Sequence, residues 1–243
     1  MKTIQSSIPR KPKALRIEDL LTIDPLTSGQ EEVFSAYKSG SHIVMSGSAG
    51  TGKTFSAIYL GLEEVLDRSS QYQSVVVCRS IVPTREIGFL PGSLEEKMDA
   101  YTAPYKSICS ELFEDSEAYT KLAENGHIEF ISTSHLRGTT INDAIIVVDE
   151  MQNLTFHELD SIITRVGQNC KIIFCGDYYQ SDFVKDGDKK GIIRFMEILE
   201  LMKGFTVVEF TWTDIVRSDF VRDYIMTKEM IGNTENNKEY LRG

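Results

Sequence analysis

Short apolar runs alternate with longer amphipathic stretches along most of the chain. Four runs are nearly unbroken: His42-Ile43-Val44-Met45, Ser74-Val75-Val76-Val77-Cys78, Ala144-Ile145-Ile146-Val147-Val148 and Lys171-Ile172-Ile173-Phe174-Cys175. Runs this short and this rich in β-branched residues predict strands covered on both faces. Ile128-Glu129-Phe130-Ile131 predicts another strand, and Phe205 to Phe210 alternates as a further one. The intervening stretches carry helical signals. Before the first strand, Thr27 or Ser28 can cap a helix with Glu31 or Glu32 in its first turn and Val33, Phe34 and Tyr37 on one face. Phe55 to Leu62 reads as a helix, as does Leu94 to Phe113, with an interruption expected near Pro104. Glu117 to Glu124 is a shorter one closed by Asn125-Gly126. Thr155 to Val166 places Phe156, Leu159, Ile162, Ile163 and Val166 on one face. Gly191 to Lys203 and Asp214 to Met230 complete the set. Strands alternating with helices predict an α/β fold, a doubly wound and mostly parallel sheet flanked by helices.

The organisation follows from where this alternation begins and ends. Residues 1–24 read as an N-terminal arm, 25–232 as the folded domain and 233–243 as a polar, frayed tail. Met1 to Lys13 is basic without an apolar h-region, so it reads as a solvated arm or a basic arm for nucleic acid, not a signal peptide. No apolar run is long enough to span a bilayer. The four cysteines, Cys78, Cys109, Cys170 and Cys175, form no C-x-x-C pair. They read as reduced thiols of a cytoplasmic protein. A formal net charge of −10 argues against a general electrostatic grip on nucleic acid. A local basic groove stays compatible with it.

The chemistry concentrates where strands end. Gly47-Ser48-Ala49-Gly50-Thr51-Gly52-Lys53-Thr54 fits the P-loop pattern G-x-x-x-x-G-K-[ST] between a predicted strand and a predicted helix. In that context backbone N–H groups and a helix N-terminus make an anion site. Lys53 would reach the β- and γ-phosphates of ATP, and the Thr54 hydroxyl would hold Mg²⁺. Asp149 and Glu150 close the strand of residues 144–148, Asp149 as a candidate for the Mg²⁺ shell and Glu150 as a candidate general base for water. Gly176-Asp177 closes the next strand, so a polar group there lies beside the γ-phosphate if the strands are neighbours. Gln30, in the first turn of the helix before the P-loop strand, is either an adenine reader or a solvated surface amide.

With these residues in place the chain resembles the PhoH-like ATPases, relatives of superfamily 1 helicases built on a RecA-like P-loop NTPase core. Asp149-Glu150-Met151-Gln152-Asn153 is similar to the family's D-E-A-Q-N motif. Gly88-Phe89-Leu90-Pro91-Gly92 with Leu94-Glu95-Glu96-Lys97, Leu136 to Asp143, Gly176-Asp177 with Gln180, and Asp214-Ile215-Val216-Arg217 match further motifs. The resemblance extends from Leu26 to about Tyr224. It departs at Thr139, where the family has arginine, at Met151 in place of a small residue, and at Cys78-Arg79-Ser80-Ile81 in place of T-R-P. It implies ATP hydrolysis with Gln30 on adenine, Gln180 sensing the γ-phosphate and Arg217 as the transition-state arginine. A single core would receive that arginine from a neighbour, which implies a ring, in all expectation a hexamer. Arg79, Arg85 and Arg137, on loops at the C-terminal edge of the sheet, are the candidate contacts to single-stranded RNA or DNA; the bland alternative is solvated loop charge.

The leading expectation is thus an Mg²⁺-dependent ATPase working as a ring, helicase-like and coupled to nucleic acid. The alternative is a nucleotide-dependent regulatory or scaffolding oligomer with little hydrolysis. A small-molecule kinase fits less well, because Glu150 beside Asp149 suits water activation better than phosphate transfer to a metabolite.

Overall fold

The computed structural model describes residues 14–81, 94–133, 136, 138, 140–177 and 186–240. Its strands are β1 (His42–Gly47), β2 (Ser74–Arg79), β3 (Ile128–Ser132), β4 (Ala144–Val148), β5 (Lys171–Gly176) and β6 (Phe205–Phe210). Its helices are α1 (Ser28–Lys38), α2 (Lys53–Leu66), α3 (Leu94–Phe113), α4 (Ala118–Glu124), α5 (Phe156–Ile163), α6 (Asp186–Leu201) and α7 (Asp219–Tyr240). The strands form one six-stranded sheet in the order β3-β2-β4-β5-β1-β6. Every pairing is parallel, with Val44 opposite Phe174 on one side and Val207 on the other.

The near-continuous apolar runs are explained by two packed layers. Ile43 and Met45 of β1, Ile145 and Val147 of β4, and Ile173 and Cys175 of β5 face a layer built by α1, α2, α3 and α4. Val44, Ile146, Val148, Ile172 and Phe174 face the opposite layer, built by α5 and α6. Successive side chains of a strand point to opposite faces, so both parities must be apolar when both faces are covered. Gly191 lies in the interior of α6, where a Cβ would come within 3.0 Å of the Phe156 Cβ, so its bareness lets α6 close on α5. Leu15, Ile17, Leu20 and Ile23 lie against the first layer, and the Leu21 N–H bonds the Leu112 carbonyl at 2.9 Å.

Three expectations change. Pro104 does not interrupt α3, which runs unbroken from Leu94 to Phe113. Tyr105, Cys109 and Leu112 are fully buried on that helix, and this packing outweighs the one backbone bond a proline removes. Asp214 does not start a long helix: it ends a 3-10 turn (Trp212–Asp214), and α7 begins at Asp219. The polar tail expected from Asn233 is helical instead, since α7 continues to Tyr240.

A parallel sheet gathers the C-terminal ends of its strands along one edge. β5 lies between β1 and β4. The loops after β1, β4 and β5 therefore share one crevice, the place where doubly wound sheets bind ligands.

Candidate functional site

The loop after β1 is shaped by its glycines. Gly47 has φ +125°, and a Cβ there would fall 1.9 Å from the Phe210 carbonyl oxygen of neighbouring β6. Gly52, at φ +82°, is the left-handed N-cap from which α2 starts. Lys53 folds back into the loop, donating from Nζ to the carbonyls of Gly47 at 2.8 Å and Ser48 at 2.7 Å and to Thr51 Oγ1 at 3.3 Å. Burial lowers its pKa, against the opposing pull of Cys175, Asp177, Glu150 and Asp149. A cation whose hydrogen bonds in the loop go to neutral oxygens, at a helix N-terminus, is matched to an incoming phosphate.

Asp149 follows β4 and is buried, 4% exposed. Its Oδ1 accepts from the Thr54 hydroxyl at 2.7 Å. The two oxygen groups assigned to Mg²⁺ are therefore already adjacent, one at the start of α2 and one at the end of β4. Oδ2 accepts from the Tyr105 hydroxyl at 2.8 Å and has Arg79 Nη1 at 4.0 Å. Burial, then the charge of Asp149, pushes the Tyr105 hydroxyl well above its usual range, so it stays protonated and donates. Hydroxyl and carboxylate oxygens suit Mg²⁺. Among the described residues no group of three or more His, Cys, Asp or Glu gathers as a metal cage.

Glu150 is next to it, in the left-handed region at φ 52°, ψ 45°. Such a backbone in a non-glycine residue is uncommon and turns the side chain away from the direction of β4. Its carboxylate accepts from the Gln152 side-chain amide, and Gln152 Oε1 in turn accepts the Asp177 backbone N–H at 3.1 Å. Gln152 thus ties the loop after β4 to the loop after β5. Gly176 leaves it room, since a Cβ there would lie 2.3 Å from Gln152 Oε1 and 2.7 Å from Met151 Cγ. Met151, where the family has a small residue, is fully buried in the α5–α6 layer.

Residues following β6 cover the loop from the other side. The Val216 N–H bonds the Gly50 carbonyl at 3.0 Å, and a Cβ on Gly50 would lie 2.9 Å from Arg217 Cγ. Arg217 therefore reaches the phosphate loop of its own chain, where the resemblance implied a neighbour's arginine. Glu229 of α7 accepts through Oε2 from the Ser48 hydroxyl at 3.0 Å and from the Trp212 indole N–H. Asp214, buried, accepts from the backbone of Gly29 at 3.0 Å and Thr211 at 2.9 Å, fixing the start of α1 against the end of β6. Its pKa is lowered by those hydrogen bonds in spite of burial.

Gln30 is neither a solvated amide nor an open one. It is buried, its Nε2 donating to the Thr51 carbonyl at 3.0 Å and its Oε1 accepting from the Leu26 N–H at 2.8 Å. It braces the loop with these two bonds, which leave its second amide N–H and the other lone pair of Oε1, and it lines the cleft. Arg79 is likewise not a loop charge facing outward. It ends β2 and turns inward to Asp149 and Tyr105. Gln180, Arg85 and Arg137 lie outside the described residues, as does the stretch Gly88–Gly92.

Gln30, the phosphate loop, Asp149, Glu150, Gln152 and Arg217 line one cleft of about 760 Å³. Its lining divides into charged side chains, Lys53, Asp149, Glu150, Asp177, Arg217 and Lys228 among them, and apolar ones, Ile23, Leu26, Phe34 and Ile108. Such a division accommodates a polyphosphate joined to a flat ring. Tyr105, Gln152, Asp214 and Glu229 had no assigned role in the sequence. Gln152 and Asp214 stood inside recognised motifs.

The comparisons with known proteins agree with this geometry. The PhoH-like protein family model matches residues 22–228. A PhoH-like protein of Bacillus subtilis (strain 168) is 33% identical over 216 residues, which cover 88% of this chain and 64% of that one. A PhoH-like protein of Mycobacterium leprae (strain TN) is 33% identical over 205 residues, covering 84% of this chain and 58% of the other. The chain thus spans less than two thirds of the length of these relatives. Among solved structures, the Hef helicase domain of Pyrococcus furiosus overlaps it loosely, at a TM-score of 0.43 and 12% identity, over 74% of this chain and 38% of that one. The phosphate loop, the parallel sheet that carries it and the span of the family model coincide, and the chain belongs to the PhoH-like protein family, with a nucleotide-binding P-loop NTPase core.

Proposed function

We propose that the protein hydrolyses ATP with Mg²⁺ at this cleft. The observation that carries the reading is the 2.7 Å bond between Thr54 and Asp149, with Glu150 beside it and Lys53 seated in the loop. On this reading the backbone of residues 47–53 and Lys53 bind the phosphates, and Thr54 with Asp149 holds the cation. The bound ion would neutralise charge on the β- and γ-phosphoryl oxygens. Glu150 takes the proton from the attacking water, oriented by the Gln152 amide. Arg217, over Gly50, adds positive charge as the terminal phosphate separates. Gln180 is kept as the γ-phosphate sensor. The purine packs on Ile23, Leu26 and Ile108, and Gln30 meets its edge with the amide N–H and oxygen lone pair that the loop does not use.

Coupling to single-stranded RNA or DNA and assembly into a ring belong to the same proposal. On this reading Arg217 acts within its own chain, and a ring is not required to supply it. Self-association has a different support: α7 exposes Phe220 (83%), Tyr224 (65%) and Ile231 (56%). The same stripe favours a second reading, a scaffold whose assembly is switched by nucleotide. No helix of the described residues is long and apolar enough to cross a membrane.

Phosphate release by the purified chain, measured without polymer, with single-stranded RNA and with single-stranded DNA, tests the proposal. Mg²⁺-dependent release that rises with one polymer is expected. No release under any condition would sink the ATPase reading, and release unmoved by either polymer would sink the motor. Sizing with and without ATP separates the second reading, which requires a change of assembly and little release.

A further inference from the structure

The Asp149 carboxylate is gripped from outside the known motifs. Tyr105 is fully buried on α3, 44 positions away in the chain, and its hydroxyl donates to Asp149 Oδ2 at 2.8 Å. Thr54 donates to the other oxygen at 2.7 Å. The Asp149 backbone N–H is fixed as well, on the Cys78 carbonyl at 2.9 Å. Three bonds thus define where the carboxylate sits and which of its oxygens faces the P-loop.

We propose that Tyr105 is the positioning residue for the Mg²⁺-binding carboxylate, a role that rests on the ATPase reading above. The argument is one of charge as well as geometry. A neutral phenol orients Asp149 while leaving its full negative charge for a cation. Arg79, the other group near Oδ2, stands at 4.0 Å, beyond hydrogen-bond distance. Were it to replace the phenol at close range, it would neutralise the carboxylate and compete with the metal. Tyr105 is also on the helix whose Pro104, Ser107 and Ile108 line the cleft. One helix therefore lines the cleft and orients Asp149, so a shift of α3 moves both. Groups that orient metal ligands typically carry about 10–100-fold of metal affinity or activity.

Tyr105→Phe removes one oxygen and keeps the ring that fills the core. In the full chain with saturating ADP, Mn²⁺ binding read from the electron paramagnetic resonance of the free ion should weaken roughly tenfold to a hundredfold. ADP affinity in EDTA should stay as in the wild type, and the Mg²⁺ concentration for half-maximal hydrolysis should rise with no change in KM for ATP at saturating Mg²⁺. Mn²⁺ affinity equal to wild type overturns the proposal. Thermal melting monitors the fold. Should the variant fail to fold, Arg79→Ala decides: unchanged or tighter Mn²⁺ binding supports the tyrosine, and a tenfold loss assigns the role to the arginine. A wild-type chain that binds Mn²⁺ with ADP and does not hydrolyse ATP counts against the ATPase reading alone, since the comparison of variants rests on binding.

Discussion

Lys53→Ala is expected to lower kcat/KM for ATP by roughly 10²–10³-fold, the range found when a single donor to a developing negative charge is removed. The structure explains the size of the loss. The Lys53 ammonium is the group at the centre of the loop, bonded to the carbonyls of Gly47 and Ser48 and to Thr51 Oγ1. Phosphate oxygens would replace these acceptors and restore to the cation the charge partner that burial withholds from it. Alanine leaves a triphosphate facing Asp149, Glu150 and Asp177, with Arg217 and Lys228 as the other cations of the cleft among the described residues. Both nucleotide affinity and turnover should fall. Equilibrium binding of a fluorescent ATP analogue and a phosphate-release assay read the two separately. A variant that turns over ATP at the wild-type rate would remove the P-loop from the mechanism.

Glu150→Gln should act differently, lowering kcat by about 10²–10⁴-fold while leaving ATP binding close to wild type. The substitution keeps side-chain length and the left-handed backbone, which the Glu150 position already adopts at φ 52°. A glutamine can turn its carbonyl oxygen toward the Gln152 amide and so preserve that bond. Charge and basicity are what it loses. Single-turnover hydrolysis under saturating ATP measures the chemical step directly. Wild-type turnover in this variant would sink the assignment of Glu150 as base, and loss of binding would show that it holds nucleotide.

How much of this was legible in the sequence depended on how far apart the interacting residues stand. The strands could be read because both of their faces are covered, which makes Val75 to Cys78 and Ala144 to Val148 unbroken apolar runs. The P-loop and Asp149-Glu150 could be read because each is a continuous stretch whose function depends on its own backbone. Tyr105 could not, since its partner lies 44 positions away and its setting looks like any amphipathic helix. The contacts of Gly29 with Asp214 and of Ser48 with Glu229 span 185 and 181 positions. Pro104 misled because the local cost of a proline is visible in sequence and the packing that outweighs it is not. Arg217 was found through its motif. Its place over Gly50 of the same chain follows from how β6 runs beside β1, which no spacing encodes.

Trp212 is the single tryptophan of the chain, and its indole shares the Glu229 oxygen with Ser48 of the phosphate loop. The protein therefore carries its own optical probe of the loop. A phosphate group reaching Ser48 competes with a carboxylate for the same hydroxyl, and two anions repel at that distance. Once Glu229 turns away, the indole loses its acceptor and its emission should change. Titrating ATP into the unlabelled chain then records occupancy of the loop as a fluorescence curve. The same curve in Glu229→Gln, where that repulsion is gone, should be markedly flatter. A full-amplitude change there would place its origin elsewhere in the protein.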